Sequence, residues 1–229
     1  MTVEDIFDKY AASYDLSRKK LIPCFDDFYR VALDIVPFGK DEPIRVLDLG
    51  AGTGLMSERV AEAYPGSSIV LLDISADMLA VARERLGPYP NRFDFVVSNY
   101  ARPGSIQGHF DLVISSLSIH HLTADEKRAL FKTVFAHLTP GGSFINADQV
   151  LGETPDIESA YNAAWERQIR EAGATDEEIS GAHERMKEDD MSTLSSQLQW
   201  LKDAGFHTVN CWYQNYSFAV FSGVKPAKE

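Results

Sequence analysis

The chain has little cysteine, a deficit of basic charge and no long apolar run. Cys24 and Cys211 are the only cysteines in 229 residues. With no metal-type spacing between them they exclude a disulfide framework, and two reduced thiols in a reducing compartment are the expectation. No stretch approaches the length of a membrane-spanning helix. The opening Met1-Thr2-Val3-Glu4-Asp5 lacks the basic start and apolar core of a secretory signal, so a cytoplasmic protein without a membrane partner is expected. Lysine and arginine number 22 against 34 acidic residues, a net charge of −12. That balance opposes attraction to phosphate backbones and makes nucleic acid an unfavoured substrate. Much of the acid falls in 171–190, including Glu184, Glu188, Asp189 and Asp190, and reads as the solvated face of helices. No internal repeat or low-complexity segment is evident.

What is present is organised around Val46-Leu47-Asp48-Leu49-Gly50-Ala51-Gly52-Thr53-Gly54. A short apolar run suited to a buried parallel strand passes there into a glycine turn, and Leu55, Val60 and Ala61 follow at helical spacing. Glycines at 50 and 52 let the backbone turn sharply and let a ligand approach the main chain. The dinucleotide fingerprint needs Gly-x-Gly-x-x-Gly, and here the third glycine comes one residue early. The next apolar strand, Val70-Leu71-Leu72-Asp73, ends in a carboxylate placed where a ribose diol would be held.

The remaining chain continues the alternation of strand and helix. Strand 44–49, helix 53–64, strand 69–73 and helix 76–86, with Ser75 as N-cap, precede a third strand near 93–97, a fourth over 110–116, helix 123–138 and a fifth strand over 143–150. Ligands in open α/β sheets bind beyond the carboxyl ends of the strands, so the turn Leu117-Ser118-Ile119-His120-His121-Leu122 belongs to the site. A neutral imidazole there, His120 or His121, can take a proton from an acceptor as a group is transferred. Asp148, at the end of the fifth strand, is placed for substrate or for a metal shared with a histidine, and no metal is assigned. Residues 1–35 are helical and divided by Pro23. Residues 154–190, with Tyr161 and Trp165, interrupt the alternation as a helical cap on the substrate side. Ser192 reads as the N-cap of helix 193–204, and 206–213 and 216–224 alternate as a hairpin. One domain over 1–229 is expected: a helical lid (1–40), a core (41–150), a cap insertion (151–192), and a last helix with the hairpin (193–229).

Asp48-Leu49-Gly50-Ala51-Gly52-Thr53-Gly54, Asp73 and the turn Pro140-Gly141-Gly142 resemble the motifs of class I S-adenosylmethionine (SAM)-dependent methyltransferases. Phe7-Asp8-Lys9-Tyr10-Ala11-Ala12-Ser13-Tyr14-Asp15 is similar to the start of many small-molecule members. The resemblance implies a Rossmann-like, doubly wound, mostly parallel seven-stranded sheet with an antiparallel C-terminal hairpin and a helical cap. It implies methyl transfer from SAM to a small-molecule acceptor. Tyr14 would cover the cofactor, Arg18 hold its carboxylate, Gly50, Ala51 and Gly52 contact the methionine portion, and Asp73 hold the ribose. Ile74 and Met78 would pack the adenine, with Asn99 and Tyr100 flanking it and Ser116 at the end of the fourth strand adding a contact. Asn99 stands where related enzymes carry an acid, and its amide oxygen can accept the same hydrogen bond. Phe25, Asp148, Tyr161 and Trp165 are the substrate candidates. A more distant similarity is to the carboxy-SAM synthases of tRNA wobble-uridine modification, but their Gln-Phe pair is His120-His121 here and their carboxylate-holding arginine is replaced around Gln199-Trp200. A SAM-binding module without turnover and a homodimer are the further open readings.

Overall fold

The computed structural model describes residues 14–89 and 91–227, with side chains from Arg18 onward. Phe7 and Tyr10 of the expected lid lie outside the described residues. Two helices, α1 (Tyr14–Leu21) and α2 (Phe25–Asp34), precede the sheet and are separated at Pro23 as the sequence predicts. Then follow β1 (Arg45–Leu49), α3 (Leu55–Ala63), β2 (Ser68–Asp73), α4 (Ala76–Leu86), β3 (Phe93–Val97) and β4 (Phe110–Ser116). A single 3-10 turn (Ile119–His121) leads into α5 (Ala124–His137) and β5 (Leu138–Gln149). The cap is α6 (Pro155–Glu171) and α7 (Asp176–Met186), after which α8 (Leu194–Asp203), β6 (His207–Asn215) and β7 (Phe218–Val224) complete the chain.

The seven strands form one sheet in the order β3-β2-β1-β4-β5-β7-β6. β1 to β5 pair in parallel, and β7 pairs antiparallel with both β5 and β6. The strand order turns back between β1 and β4, and the crevice beyond their carboxyl ends is where such sheets bind ligands. Both faces of the sheet are covered, which is why its central strands read as near-continuous apolar runs. The period of two then sorts their side chains into two cores. Val46, Ile69, Leu71, Leu112, Ile114 and Ile145 pack with Phe28, Tyr29 and Val60 of α2 and α3. Leu47, Leu49, Leu72, Val113 and Phe144 pack with Phe131, Val134 and Leu201 of α5 and α8.

Helix starts follow capping chemistry. Ser75 accepts from the Met78 N–H at 3.0 Å, as expected, and Thr123 with Glu126 and Thr175 with Glu178 form reciprocal capping boxes on α5 and α7. The start of α8 differs from the sequence expectation by one residue: Thr193, not Ser192, accepts from Ser196 N–H, while the Ser192 carbonyl takes Leu151 N–H and Gln197 Nε2. The Pro140-Gly141-Gly142 segment differs too. It lies inside a continuous β5 as a bulge, with Leu138 opposite Phe110 and Ser143 opposite Leu112, so the residues between are looped out of register. No helix among the described residues is long and apolar enough to cross a membrane.

Arg92, just before β3, closes the far end of α3. Its Nε donates to Ser67 O at 2.9 Å, Nη1 to Ala61 O at 3.1 Å, and Nη2 to Tyr64 O and Ser67 Oγ, both at 2.8 Å. These acceptors belong to buried residues, so truncation leaves carbonyls without donors. Arg92→Ala is expected to destabilise the protein by about 2–3 kcal/mol, read as a fall in Tm of several degrees, and Arg92→Lys to recover little of it because one ammonium cannot reproduce the fork.

Candidate cofactor and acceptor site

The loop after β1 is built from left-handed backbone: φ is +66° at Gly50, +54° at Gly52 and +78° at Gly54. The three glycines do different work. A Cβ on Gly50 would lie 1.8 Å from Ser118 Oγ, and one on Gly54 would lie 3.0 Å from Ala82 Cβ, so both make room for protein. A Cβ on Gly52 would meet nothing within 4 Å. Gly52 is therefore the glycine that faces open space, while Gly50, which also borders the cleft, is in addition packed against Ser118. Ala51 is buried in the core and does not line the cleft.

Asp73 ends β2 with both oxygens engaged. Oδ2 accepts from Gly52 N–H at 2.7 Å and Oδ1 from Ser75 N–H at 2.9 Å. The carboxylate borders the cleft, where a ribose diol would meet it. Asp48, one strand over, is buried. Ser57 Oγ donates to its Oδ2 at 2.7 Å, and its Oδ1 has no partner. Burial, reinforced by the charge of Asp73 and opposed by Ser57 and Arg18, pushes the Asp48 carboxyl up to about 7.

Gly50, Gly52 and Asp73 border a cleft of about 750 Å³, partly open to solvent, whose other walls include Arg18, Ile74, Met78, Asn99 and Tyr100. Asn99 Oδ1 already accepts from Ala101 N–H at 2.9 Å, which leaves its amide nitrogen as the unassigned donor. The Tyr100 hydroxyl is tied to Ser118, 2.7 Å from Oγ and 3.1 Å from O, and burial pushes its pKa up. Ser116 does not border the cleft; its hydroxyl donates to Tyr29 OH at 3.0 Å. Tyr14 opens α1, and its side chain lies outside the described residues.

A second chamber of about 640 Å³, open to solvent on one side, adjoins the first, and Arg18, Leu117 and His121 border both. Leu117 carries φ +51°, a left-handed conformation unusual for a branched side chain and of the kind that collects at functional sites. Beyond it, the His120 ring is fixed by Asp148: Nδ1 lies 2.6 Å from Oδ1, and the His120 N–H donates to Oδ2 at 3.1 Å. Asp189 approaches from the cap, its Oδ1 2.9 Å from His121 Nδ1 and 3.5 Å from His120 Nε2. Burial lowers the His120 pKa, but the charge and hydrogen bond of Asp148, with Asp189, outweigh it and the net shift is upward. Burial and the neighbouring His120 hold His121 below its ordinary value. Asp189 is held low in spite of burial, because both histidines and Lys127 favour its anion.

The segment that carries Asp189 is clamped in place. Lys127, fully buried, donates from Nζ to Leu122 O and to Asp190 O, and Asp190 N–H donates to His120 O at 2.9 Å. The reading of 171–190 as solvated helix faces therefore fails at Asp189, whose side chain is 5% exposed. Asp189 follows the end of α7 and precedes the cap of α8, so it is a loop acid, and that position was the available signal. Lys127 and Leu117 had none: a lysine within a helix and a leucine after a strand are ordinary in a sequence.

The substrate candidates separate. Trp165 borders the second chamber and donates from Nε1 to Leu21 O at 2.9 Å, joining cap to α1. Asp148 stands behind His120 as its positioning partner. Phe25 is turned away, stacked on Tyr29 with centroids 4.9 Å apart and covered by Arg59. Tyr161 packs on Tyr216 at 6.0 Å and accepts from Gln214 Nε2 at 3.1 Å, on the hairpin and off both cavities.

A doubly wound sheet with a glycine turn after β1, an acid closing β2, and open space at Gly52 between them defines a nucleoside-binding α/β enzyme. The chain belongs to the class I SAM-dependent methyltransferases. A methyltransferase-domain family model matches residues 46–142. The chain is 30% identical over 175 residues, 75% of its length and 69% of the relative's, to the ubiquinone/menaquinone biosynthesis C-methyltransferase UbiE of Methylobacterium nodulans. It is 28% identical over 235 residues, 98% of its length and 91% of the relative's, to the demethylmenaquinone methyltransferase of Clavibacter sepedonicus. Among solved structures, human N-acetylserotonin methyltransferase in complex with SAM shares the fold at TM-score 0.64 and 16% identity, over 99% of this chain and 61% of that one. Three further methyltransferase structures are likewise longer, the chain spanning 54%, 59% and 60% of them. SAM is the cofactor, and the open side of Gly52 with the Asp73 carboxylate on the wall of the cleft fits it.

Two outcomes follow from the loop and its acids. Gly52→Ala should fold, with a backbone penalty of about 1 kcal/mol, yet lose most of its affinity for S-adenosylhomocysteine by calorimetry, whereas Gly50→Ala should lose stability first and recover part of it when combined with Ser118→Gly. For Asp48, a folded pKa above the unfolded one means that stability present at low pH is lost as pH rises from about 4 to about 7. The stability of Asp48→Asn relative to wild type should therefore climb across that window and level off above it, measured by denaturant titration at several pH values.

Proposed function

We propose that the chain transfers the methyl group of SAM to a small-molecule acceptor held in the second chamber. The observation that carries this is the shared wall: Arg18, Leu117 and His121 border both cavities, so a molecule in the chamber would meet the cofactor cleft end to end. The chamber's apolar sides, among them Leu21, Ile22, Trp165, Ala182 and Met186, suit a compact acceptor with an apolar body and exclude water from it. When bound, SAM supplies a sulfonium methyl open to attack in line with sulfur. The chain's own work is then placement.

In this reading Gly52 and Asp73 hold the nucleoside end and Arg18 the carboxylate end. Met78 and Ile74 pack the base. The polar end of the chamber, His120, His121 and Asp189, faces the acceptor's nucleophilic atom and is where an acceptor proton would be received or released. Relatives named demethylmenaquinone methyltransferase and malonyl-[acyl-carrier protein] O-methyltransferase support methyl transfer, and the first of these names a small-molecule acceptor. The rival in which SAM itself is carboxylated finds no support, because Gln199 bonds Asp203, Trp200 lies under Arg128, and neither borders the cleft.

The test is to screen phenols, hydroquinones and carboxylic acids for acceptor-dependent release of S-adenosylhomocysteine. Met186→Trp, which fills the chamber, should leave S-adenosylhomocysteine binding within about twofold and lower acceptor kcat/KM by about tenfold or more. Turnover unaffected by that substitution, or product release indifferent to every acceptor, would remove the chamber from the mechanism.

A further inference from the structure

Among the described residues, donor atoms of His120, His121 and Asp189 lie within 4.8 Å of one another at the polar end of the chamber. We propose that these three side chains bind a divalent first-row transition-metal ion, with Zn²⁺ or Fe²⁺ the fitting class for two imidazoles and a carboxylate. Asp189 Oδ1 is 2.9 Å from His121 Nδ1 and 3.5 Å from His120 Nε2. Two ligand atoms bound about 2.1 Å from one ion, at tetrahedral or octahedral angles, stand about 3.0–3.5 Å apart. The measured separations bracket that range.

The tautomer strengthens the case. Asp148 Oδ1 lies 2.6 Å from His120 Nδ1, and a carboxylate can only accept, so Nδ1 carries the hydrogen and a neutral ring presents a lone pair at Nε2. That lone pair points at Asp189, itself an acceptor. The lone pair and the carboxylate oxygen can therefore share one cation, a ring proton or a metal ion. Asp148 meanwhile has the place of the carboxylate that orients a metal-bound histidine from behind, and it is fixed in turn by the N–H groups of His120 and Gln149. The nearby Lys127 ammonium does not fill the role, because it is directed at the carbonyls of Leu122 and Asp190.

Three protein ligands leave positions open toward the chamber, the arrangement of a catalytic rather than a purely structural ion. An acceptor hydroxyl reaching such a position would have its pKa lowered. Its proton leaves to water, its oxygen lone pair forms the bond to the methyl carbon, and the S–CH₃ bond breaks with its pair remaining on sulfur. This acceptor step rests on the proposed function; the binding of the ion does not.

The experiment uses untagged full-length protein, stripped with chelator, loaded with Zn²⁺, desalted and measured by inductively coupled plasma mass spectrometry. Wild type is expected to retain about one ion per chain. His121→Ala and Asp189→Asn, checked for fold by circular dichroism, should retain under a tenth of that. Asp148→Asn should bind Zn²⁺ about 10- to 100-fold more weakly. No retention by wild type, or equal retention in all variants, overturns the site; so would Zn²⁺ that leaves the Tm of wild type and Asp189→Asn equally unshifted. Stripped enzyme should bind S-adenosylhomocysteine normally, lose acceptor turnover at least tenfold and regain it with Zn²⁺. Full turnover after stripping overturns the acceptor step and returns proton transfer to the histidines alone. Failure of S-adenosylhomocysteine to bind either form would instead sink methyl transfer while the ion count stands by itself.

Discussion

The hydrogen bond from Gly52 N–H to Asp73 Oδ2, 2.7 Å long, is the contact on which the site depends. The β1–β2 ladder reaches Leu49 opposite Leu72, and Gly50 and Ala51 N–H groups continue it onto Leu72 O at 2.8 and 3.2 Å. A side-chain carboxylate then takes the next rung. The loop is thereby held against β2 beyond the point where strand geometry ends, and it can do so only with left-handed backbone at Gly50 and Gly52. Because β4 lies on the other side of β1, the same loop is also pressed on Ser118, and the cleft opens between the two.

The second half of the site is fastened by a buried cation. Taking the Lys127 ammonium out of water is unfavourable, and burial lowers its pKa accordingly. The carbonyls of Leu122 and Asp190 offset that, and in doing so they tie α5, the histidine turn and the loop after α7 together. Asp190 N–H on His120 O closes the ring. The consequence is that the cap contributes a wall as well as a roof: Asp189 is delivered to the histidines by main-chain bonds on either side of it. A methyltransferase core without the 155–186 helices would keep its cofactor cleft and lose this chamber.

The sequence carried the sheet well, because hydrophobic period and glycine punctuation are local and dominant in a parallel α/β fold. It carried the walls of the cleft almost as well, since Gly50, Gly52, Asp73, Ile74 and Met78 lie in the two turns that follow successive strands and in the helix start after the second. It failed where direction is decided by distant neighbours. Ser116 and Phe25 are drawn to Tyr29, and Tyr161 to the hairpin, by packing partners that no local pattern encodes. Asp189 was hidden among acids that do lie on solvated faces, and its partners are two histidines on the other side of the sheet's α5 connection. Of the two glycines on the cleft, Gly52 answers to open space alone and Gly50 to Ser118 as well.

Four carboxylates, Asp48, Asp73, Asp148 and Asp189, are buried along one edge of the sheet, in a chain whose acidic excess makes further negative charge unwelcome. Buried charge persists only where something compensates it. Asp73 has two backbone N–H groups, Asp148 has His120 and its own neighbour's N–H, and Asp189 has the histidine pair. Asp48 alone keeps an oxygen without a donor, and its raised pKa is the physical expression of that deficit. A protein stabilised for its own sake would place an amide or an apolar side chain there. What the acid retains is the bond from Ser57 Oγ, which ties the end of β1 to the first turn of α3.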